Sequence, residues 1–185
     1  MNELAHLTEE QRTKLGNTRR RVIESIGKNM DLYGVTLSIG HLYGNMYFNE
    51  HPATLDEMSE TMGMSKTSMS TGMRTLHDLK MINKVWGKGS RKDLYEVEPD
   101  WHQNFTDFFS IKWSKAVEQN MSALNRSLKE IVELKRQYAD DEGFQLVLER
   151  DYVKIDEGLK YYRWLERLIH SFETGEIYTY IPKED

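Results

Sequence analysis

The stretch that most constrains this chain runs from Thr54 to Glu98, where the signals for a helix, a turn, a second helix and a hairpin follow in order. Thr54, with Glu57 three residues later, reads as a capping box opening a short helix from Leu55 to Met62. Gly63 supplies the turn, and Ser65 caps a second helix that runs to Leu79. Ile82 to Trp86 and Asp93 to Val97 have strand composition and flank the polar tip Gly87-Lys88-Gly89-Ser90-Arg91-Lys92. This is the order of a winged-helix unit. The fold class expected is mainly α: a winged helix-turn-helix with a two-stranded wing, flanked by long dimerization helices.

Side-chain chemistry points this unit at DNA. Met69, Met73, Leu76 and Leu79 share one face of the second helix and suit packing against the preceding helix and the wing. The opposite face carries Lys66, Thr67, Ser68, Ser70, Thr71 and Arg74. Short hydroxyl side chains near a helix N-terminus bond phosphates or base edges without holding the backbone away from the groove. Lys88, Arg91 and Lys92 cluster at the wing tip, where a cation suits the phosphate backbone or the minor groove. Charge distribution agrees. Between Ser65 and Lys92 seven basic residues stand against Asp78 alone, a net +6, whereas the whole chain carries −5. A basic patch on an acidic body binds a polyanion in one orientation. Gly72 in mid-helix costs roughly 1 kcal/mol of propensity, so a close approach by a neighbouring helix or by DNA is expected there. After Leu79, where a sharp turn favours glycine, the chain has Lys80, which implies a looser turn or a left-handed lysine.

Outside this segment the chain reads as helical. Thr8 to Tyr33 opens with a capping box of Thr8 and Gln11 and stops at Gly34. A second helix is expected over Leu37 to Phe48, with Gly40 and Gly44 letting a helix or ligand come close. Asp100 to Phe109 is expected to be a short helix or irregular, followed by a long helix to Tyr138. Its stripe of Val117, Met121, Leu124, Leu128, Ile131, Leu134 and Tyr138 wants a partner, either across a dimer or from the last helix. A turn over Asp140 to Gly143, a helix from Phe144 to Phe172 and an extended tail from Ile177 to Pro182 complete the expectation. The implied domains are 1–50 (N-terminal helices for dimerization and the domain joint), 51–99 (the reading head) and 100–185 (a helical dimerization and sensor region).

Other function classes are poorly supported. Without cysteine there are no disulfides, thiolate nucleophiles or cysteine-based metal sites. The six histidines lack metal-ligand spacing, and no phosphate loop, His-Glu-x-x-His or Gly-x-Ser-x-Gly is present. No enzyme activity, catalytic residue, metal or cofactor is expected. Nor is a secretory signal or membrane span visible, so a soluble cytoplasmic protein is the expectation.

Four blocks carry a family resemblance: NMDLYGVTLSIGHLYGNMYF from Asn29, MSKTSMSTGMRTLHDLKMINK from Met64, NFTDFFSIKW from Asn104 and TGEIYTYIPK from Thr174. In these the chain resembles the GbsR branch of the MarR-type regulators, repressors of osmoprotectant (choline and glycine betaine) synthesis and uptake genes. The resemblance implies a homodimer on a pseudo-palindromic double-stranded operator and, in members that sense choline, an effect of that ligand on repression. A trimethylammonium group is held by cation–π contact with aromatic faces. Tyr43, Tyr47, Phe109 and Trp113 are the candidate cage, with Tyr33 and Trp101 in reserve; the alternative is that these rings are core. Two other readings stay open: a constitutive regulator without inducer, and a winged-helix protein-interaction module.

Overall fold

The computed structural model describes residues 6–87 and 92–184. The chain divides into two compact units, Met1–Asn104 and Phe105–Asp185. In the first, α1 (Glu9–Asn29) opens with the expected capping box: the Thr8 hydroxyl accepts from the Gln11 amide at 3.2 Å, and Gln11 Oε1 accepts from the Thr8 amide at 2.8 Å. Its end tightens into a 3-10 turn, Met30–Tyr33, stopped by Gly34 at φ 68°. α2 (Leu37–Tyr47) then packs on α1. The partner that Gly40 and Gly44 admit is α1, since Cβ atoms there would meet Gly27 and Ile23.

The head follows: β1 (Ala53–Thr54), α3 (Leu55–Met62), α4 (Lys66–Asp78), β2 (Ile82–Val85) and β3 (Leu94–Val97). Thr54 and Glu57 cap α3 reciprocally, with the Thr54 amide donating to Glu57 Oε2 at 2.7 Å. Gly63 turns at φ 61°, and Ser65 caps α4 by accepting from the Ser68 amide at 3.2 Å. The sheet has three antiparallel strands in the order β1-β3-β2, one more than the wing alone. β1 is two residues long, too short for any alternation, and exists only because Ala53 meets Tyr95 far along the chain. Lys80 takes the left-handed conformation, φ 57°, at the close of α4. Leu42, Met58, Met69, Met73, Leu76, Met81 and Ile82 are fully buried beneath the head.

The second half departs from expectation in three places. The segment after Asp100 is neither short nor irregular: α5 runs unbroken over Trp101–Gln137. Asp100 caps it through Oδ1, which accepts from the His102 amide at 2.9 Å, and no proline or glycine interrupts it. α6 begins at Glu142 rather than Phe144 and ends at Glu173, because Asp141 accepts from the Phe144 amide at 2.9 Å and draws Gly143 into the first turn. The tail is not fully extended, since Ile177–Tyr180 forms a last helical turn, α7. Gly175 at φ 74° reverses the chain, and the Ile181 amide then bonds the Ile177 carbonyl at 2.9 Å despite β-favouring composition.

The α5 stripe folds back on α6. Val117 is buried with Leu165 and Ile169, flanked by Phe109, Met121, Tyr162 and Leu168. Leu124 of α5 faces Gly158 of α6, its methyl carbons 3.7 Å from where a Cβ would stand, an ordinary contact. Gln145 bonds the Lys135 and Tyr138 carbonyls at 2.9 and 2.8 Å, satisfying acceptors that the end of α5 leaves open. Among the described residues, no helix is long and apolar enough to cross a membrane.

Candidate nucleic-acid interface

Two faces of α4 divide by burial. Met69, Gly72, Met73 and Leu76, spaced by three and four, point into the core. Leu42 of α2 is what comes close at Gly72, its Cδ2 3.1 Å from where a Cβ would stand. Lys66, Thr67, Ser68, Thr71 and Arg74 are exposed on the other side, and Ser70 is half-buried. The hydroxyls are not equivalent. Ser65 donates to the Ser68 hydroxyl oxygen at 3.0 Å, leaving the Ser68 hydrogen available to donate outward. The Thr71 hydrogen is spent on the Thr67 carbonyl at 3.1 Å, so outwardly Thr71 offers lone pairs and a methyl. An exposed helix face with two cations, a donor hydroxyl and an acceptor hydroxyl has the groups that bind phosphates and read base edges.

Of the predicted wing cations, Lys88 and Arg91 lie outside the described residues, whereas Lys92 is exposed at the foot of β3. Its ammonium lies 2.7 Å from Oδ2 of Asp56, and Lys66 lies 2.7 Å from Oδ1 of the same carboxylate. The two lysines hold the Asp56 carboxyl down to about 2, through their hydrogen bonds first and their charges second. Lys84 pairs across the hairpin with Asp93 at 2.8 Å. Asp56 and Asp93 stand just outside the basic window counted from sequence, and both turn back into it. Asp56 is the residue sequence reasoning missed. It looks like ordinary first-turn helix acidity, and nothing local shows that it faces α4 and the wing. Trp86, at the end of β2, is 94% exposed.

The aromatic candidates fall in different units. Tyr43 and Tyr47, on α2, meet Trp101 edge-on at ring separations of 6.2 and 5.1 Å, and the indole N–H donates to the Tyr47 hydroxyl at 3.1 Å. Tyr43 is 2% exposed, its hydroxyl accepts from Asn104 at 3.0 Å, and burial raises its pKa above the phenol's ordinary value. Burial likewise raises that of Tyr33. In the second unit Phe109 stacks on Trp113 at 5.7 Å and meets Phe172 edge-on at 5.1 Å. Tyr47 also lines a cavity of about 200 Å³ within the first unit, together with Met46, Glu50, Tyr95, Glu96 and Pro99. Tyrosine and glutamate are residue types that attract a small organic cation. Among the described residues, no group of three or more histidines and carboxylates is placed to hold a metal.

The chain has relatives among known transcriptional regulators. Residues 101–179 match the family described as GbsR family transcriptional regulator, C-terminal helical hairpin. The chain is similar to the HTH-type transcriptional repressor GbsR of Bacillus subtilis (strain 168), 40% identical over 166 residues that cover 90% of this chain and 92% of that one. It is likewise similar to the HTH-type transcriptional repressor OpcR of the same organism, 39% identical over 172 residues and 90% of each chain. A crystal structure of a transcriptional regulator shares the fold at a TM-score of 0.54 and 14% identity, over 86% of this chain and 98% of that one.

Proposed function

The chain belongs to the GbsR family of transcriptional regulators, and from that premise we propose that it represses transcription as a homodimer bound to operator DNA, with α4 in the major groove and the β2–β3 hairpin beside it. It is a transcriptional repressor and not an enzyme. The observation that carries the DNA contact is the split of α4 into a buried methionine–leucine face and an exposed face of Lys66, Thr67, Ser68, Thr71 and Arg74. Those cations, with Lys92 and the tip residues Lys88 and Arg91, supply the phosphate contacts, and Ser68 and Thr71 reach base edges. Exposed Leu146, Val153, Tyr161 and Trp164 on α6 favour a second copy as the hairpin's partner.

The operators proposed belong to genes for uptake or synthesis of choline and glycine betaine in the cytoplasm, with choline or a similar quaternary ammonium modulating binding. Two features support the effector: the Tyr47, Tyr95, Glu50 and Glu96 hollow, and the stacked, partly exposed pair Phe109 and Trp113. A regulator without inducer is the second reading, favoured by the near-complete burial of Tyr43. Mobility-shift titration on DNA upstream of the chain's own gene, with and without choline, tests both. Salt-sensitive binding that choline alters, with the response lost in Tyr47→Ala or Trp113→Ala, supports the inducer reading. Binding indifferent to saturating choline supports the second. No specific binding to any upstream duplex overturns the repressor reading.

A further inference from the structure

Among the described residues of the surface assigned to DNA, one carboxylate bridges two cations. Asp56, in the first turn of α3, sets one oxygen 2.7 Å from the Lys66 ammonium and the other 2.7 Å from the Lys92 ammonium. Lys66 begins the helix assigned to the groove, and Lys92 lies two residues before the return strand β3. A single carboxylate therefore joins the ammonium groups of the two elements that are to grip the backbone. A phosphodiester presents the same offer: two anionic oxygens on one atom, each able to accept from a separate ammonium.

We propose that Asp56 is a built-in competitor for a DNA phosphate, its carboxylate taking up the two ammonium groups that a backbone phosphate must win, so that Asp56 lowers and sets the affinity of the head for DNA. The inference rests on the DNA-binding reading above.

Two opposite effects of such a residue have to be weighed. Asp56 orders the two lysine side chains, and it adds a negative charge at the place where phosphates arrive. Ordering is the weaker effect. Both pairs are exposed, with lysine side chains 77% and 65% accessible, and exposed pairs hold their partners weakly because water and salt screen them. The charge acts on every phosphate within a Debye length, about 8–10 Å at ordinary salt. With Asp56 in place, the three groups bring one net positive charge to the DNA; with asparagine there, they bring two.

The test uses the full chain and a fluorescein-labelled duplex of mixed sequence, read by anisotropy over a salt series. Asp56→Asn is expected to bind about threefold to tenfold tighter near physiological salt, and the log–log salt slope to steepen by about 0.9, the value of one further phosphate contact. Asp31→Asn, which removes an equal charge from the exposed turn after α1, should change binding little. In a Lys66→Ala, Lys92→Ala background, Asp56→Asn should keep only the smaller gain from the charge it removes and should no longer steepen the salt slope, because there is no ammonium left to release. Thermal melts establish that each variant is folded. If Asp56→Asn binds equally or more weakly while folded, the proposal is overturned and Asp56 is a strut that positions the lysines. If Asp31→Asn tightens binding as much, the effect belongs to net charge and the proposal is likewise overturned. If the wild-type chain binds no duplex at any salt, the DNA reading itself has failed.

Discussion

The crossing of α1 and α2 is set by two glycines, and replacing Gly40 by alanine should weaken the protein although alanine is the better helix former. A Cβ on Gly40 would lie 2.8 Å from both Cα and O of Gly27 and 2.9 Å from the Met30 Cβ. Two of these neighbours are backbone and cannot rotate away, so the helices must part until the new carbon reaches ordinary contact at about 3.5 Å or more. Overpacking of this kind costs about 1–3 kcal/mol, and backbone obstruction places this case in the upper part of that range. Helix propensity returns about 1 kcal/mol. The net loss is about 1–2 kcal/mol, or roughly 0.5–1 M off the urea midpoint at the slopes usual for small proteins. Gly16 is the internal control: it lies inside α1 with nothing within 4 Å of where a Cβ would stand, so Gly16→Ala should gain about 0.5–1 kcal/mol. Urea unfolding followed by circular dichroism gives both signs in one experiment. Gly40→Ala as stable as wild type, beside a stabilised Gly16→Ala, would show that the helices do not cross where these contacts put them.

Lys80→Gly should raise the urea midpoint slightly. Relief of a left-handed lysine, about 1–2 kcal/mol, exceeds the added freedom of glycine in the unfolded chain, about 0.4–1 kcal/mol; a lower midpoint would argue against the strain. Glu57 carries a stability contribution that depends on pH, because the Thr54 amide and hydroxyl lower its folded pKa. That contribution is present above the unfolded carboxyl range, about 4.3, and is lost as pH falls through the lower folded value. Melting of wild type and Glu57→Gln from pH 7 to 3 should therefore converge in acid, and a constant difference would exclude the ionised cap. Tyr43→Phe removes the 3.0 Å acceptor of the Asn104 amide, which keeps the Glu98 carbonyl at 3.1 Å. The expected cost is about 1 kcal/mol in a thermal or urea melt, and no measurable change would mean that this bond contributes nothing.

Much of the head was legible because its signals are local. Capping boxes, Gly34, Gly63 and the period of Met69, Met73 and Leu76 each act within one or two turns, and each is found where the residues place it. Misread elements were those where composition and context disagree. Asp100 to Phe109 reads as a short helix or irregular, yet from Trp101 it continues into a long helix because Asp100 caps it and nothing breaks it. Isoleucine and tyrosine after Gly175 favour strands, but with no strand paired to them among the described residues they settle into a helical turn.

The amino-acid order by itself determined the succession of elements, the polar and apolar faces of α4, and the basic window on an acidic chain, since these depend on neighbours within a few residues. Only the tertiary structure decided that β1 joins the sheet through Tyr95, that the α5 stripe closes on α6, and that Asp56 faces Lys66 and Lys92. The last pairing spans ten residues to one lysine and thirty-six to the other. Periodicity carries no information about such meetings; packing of separate elements creates them. A window that counts as +6 along the chain therefore gains a further carboxylate, set between two of its lysines, once folded.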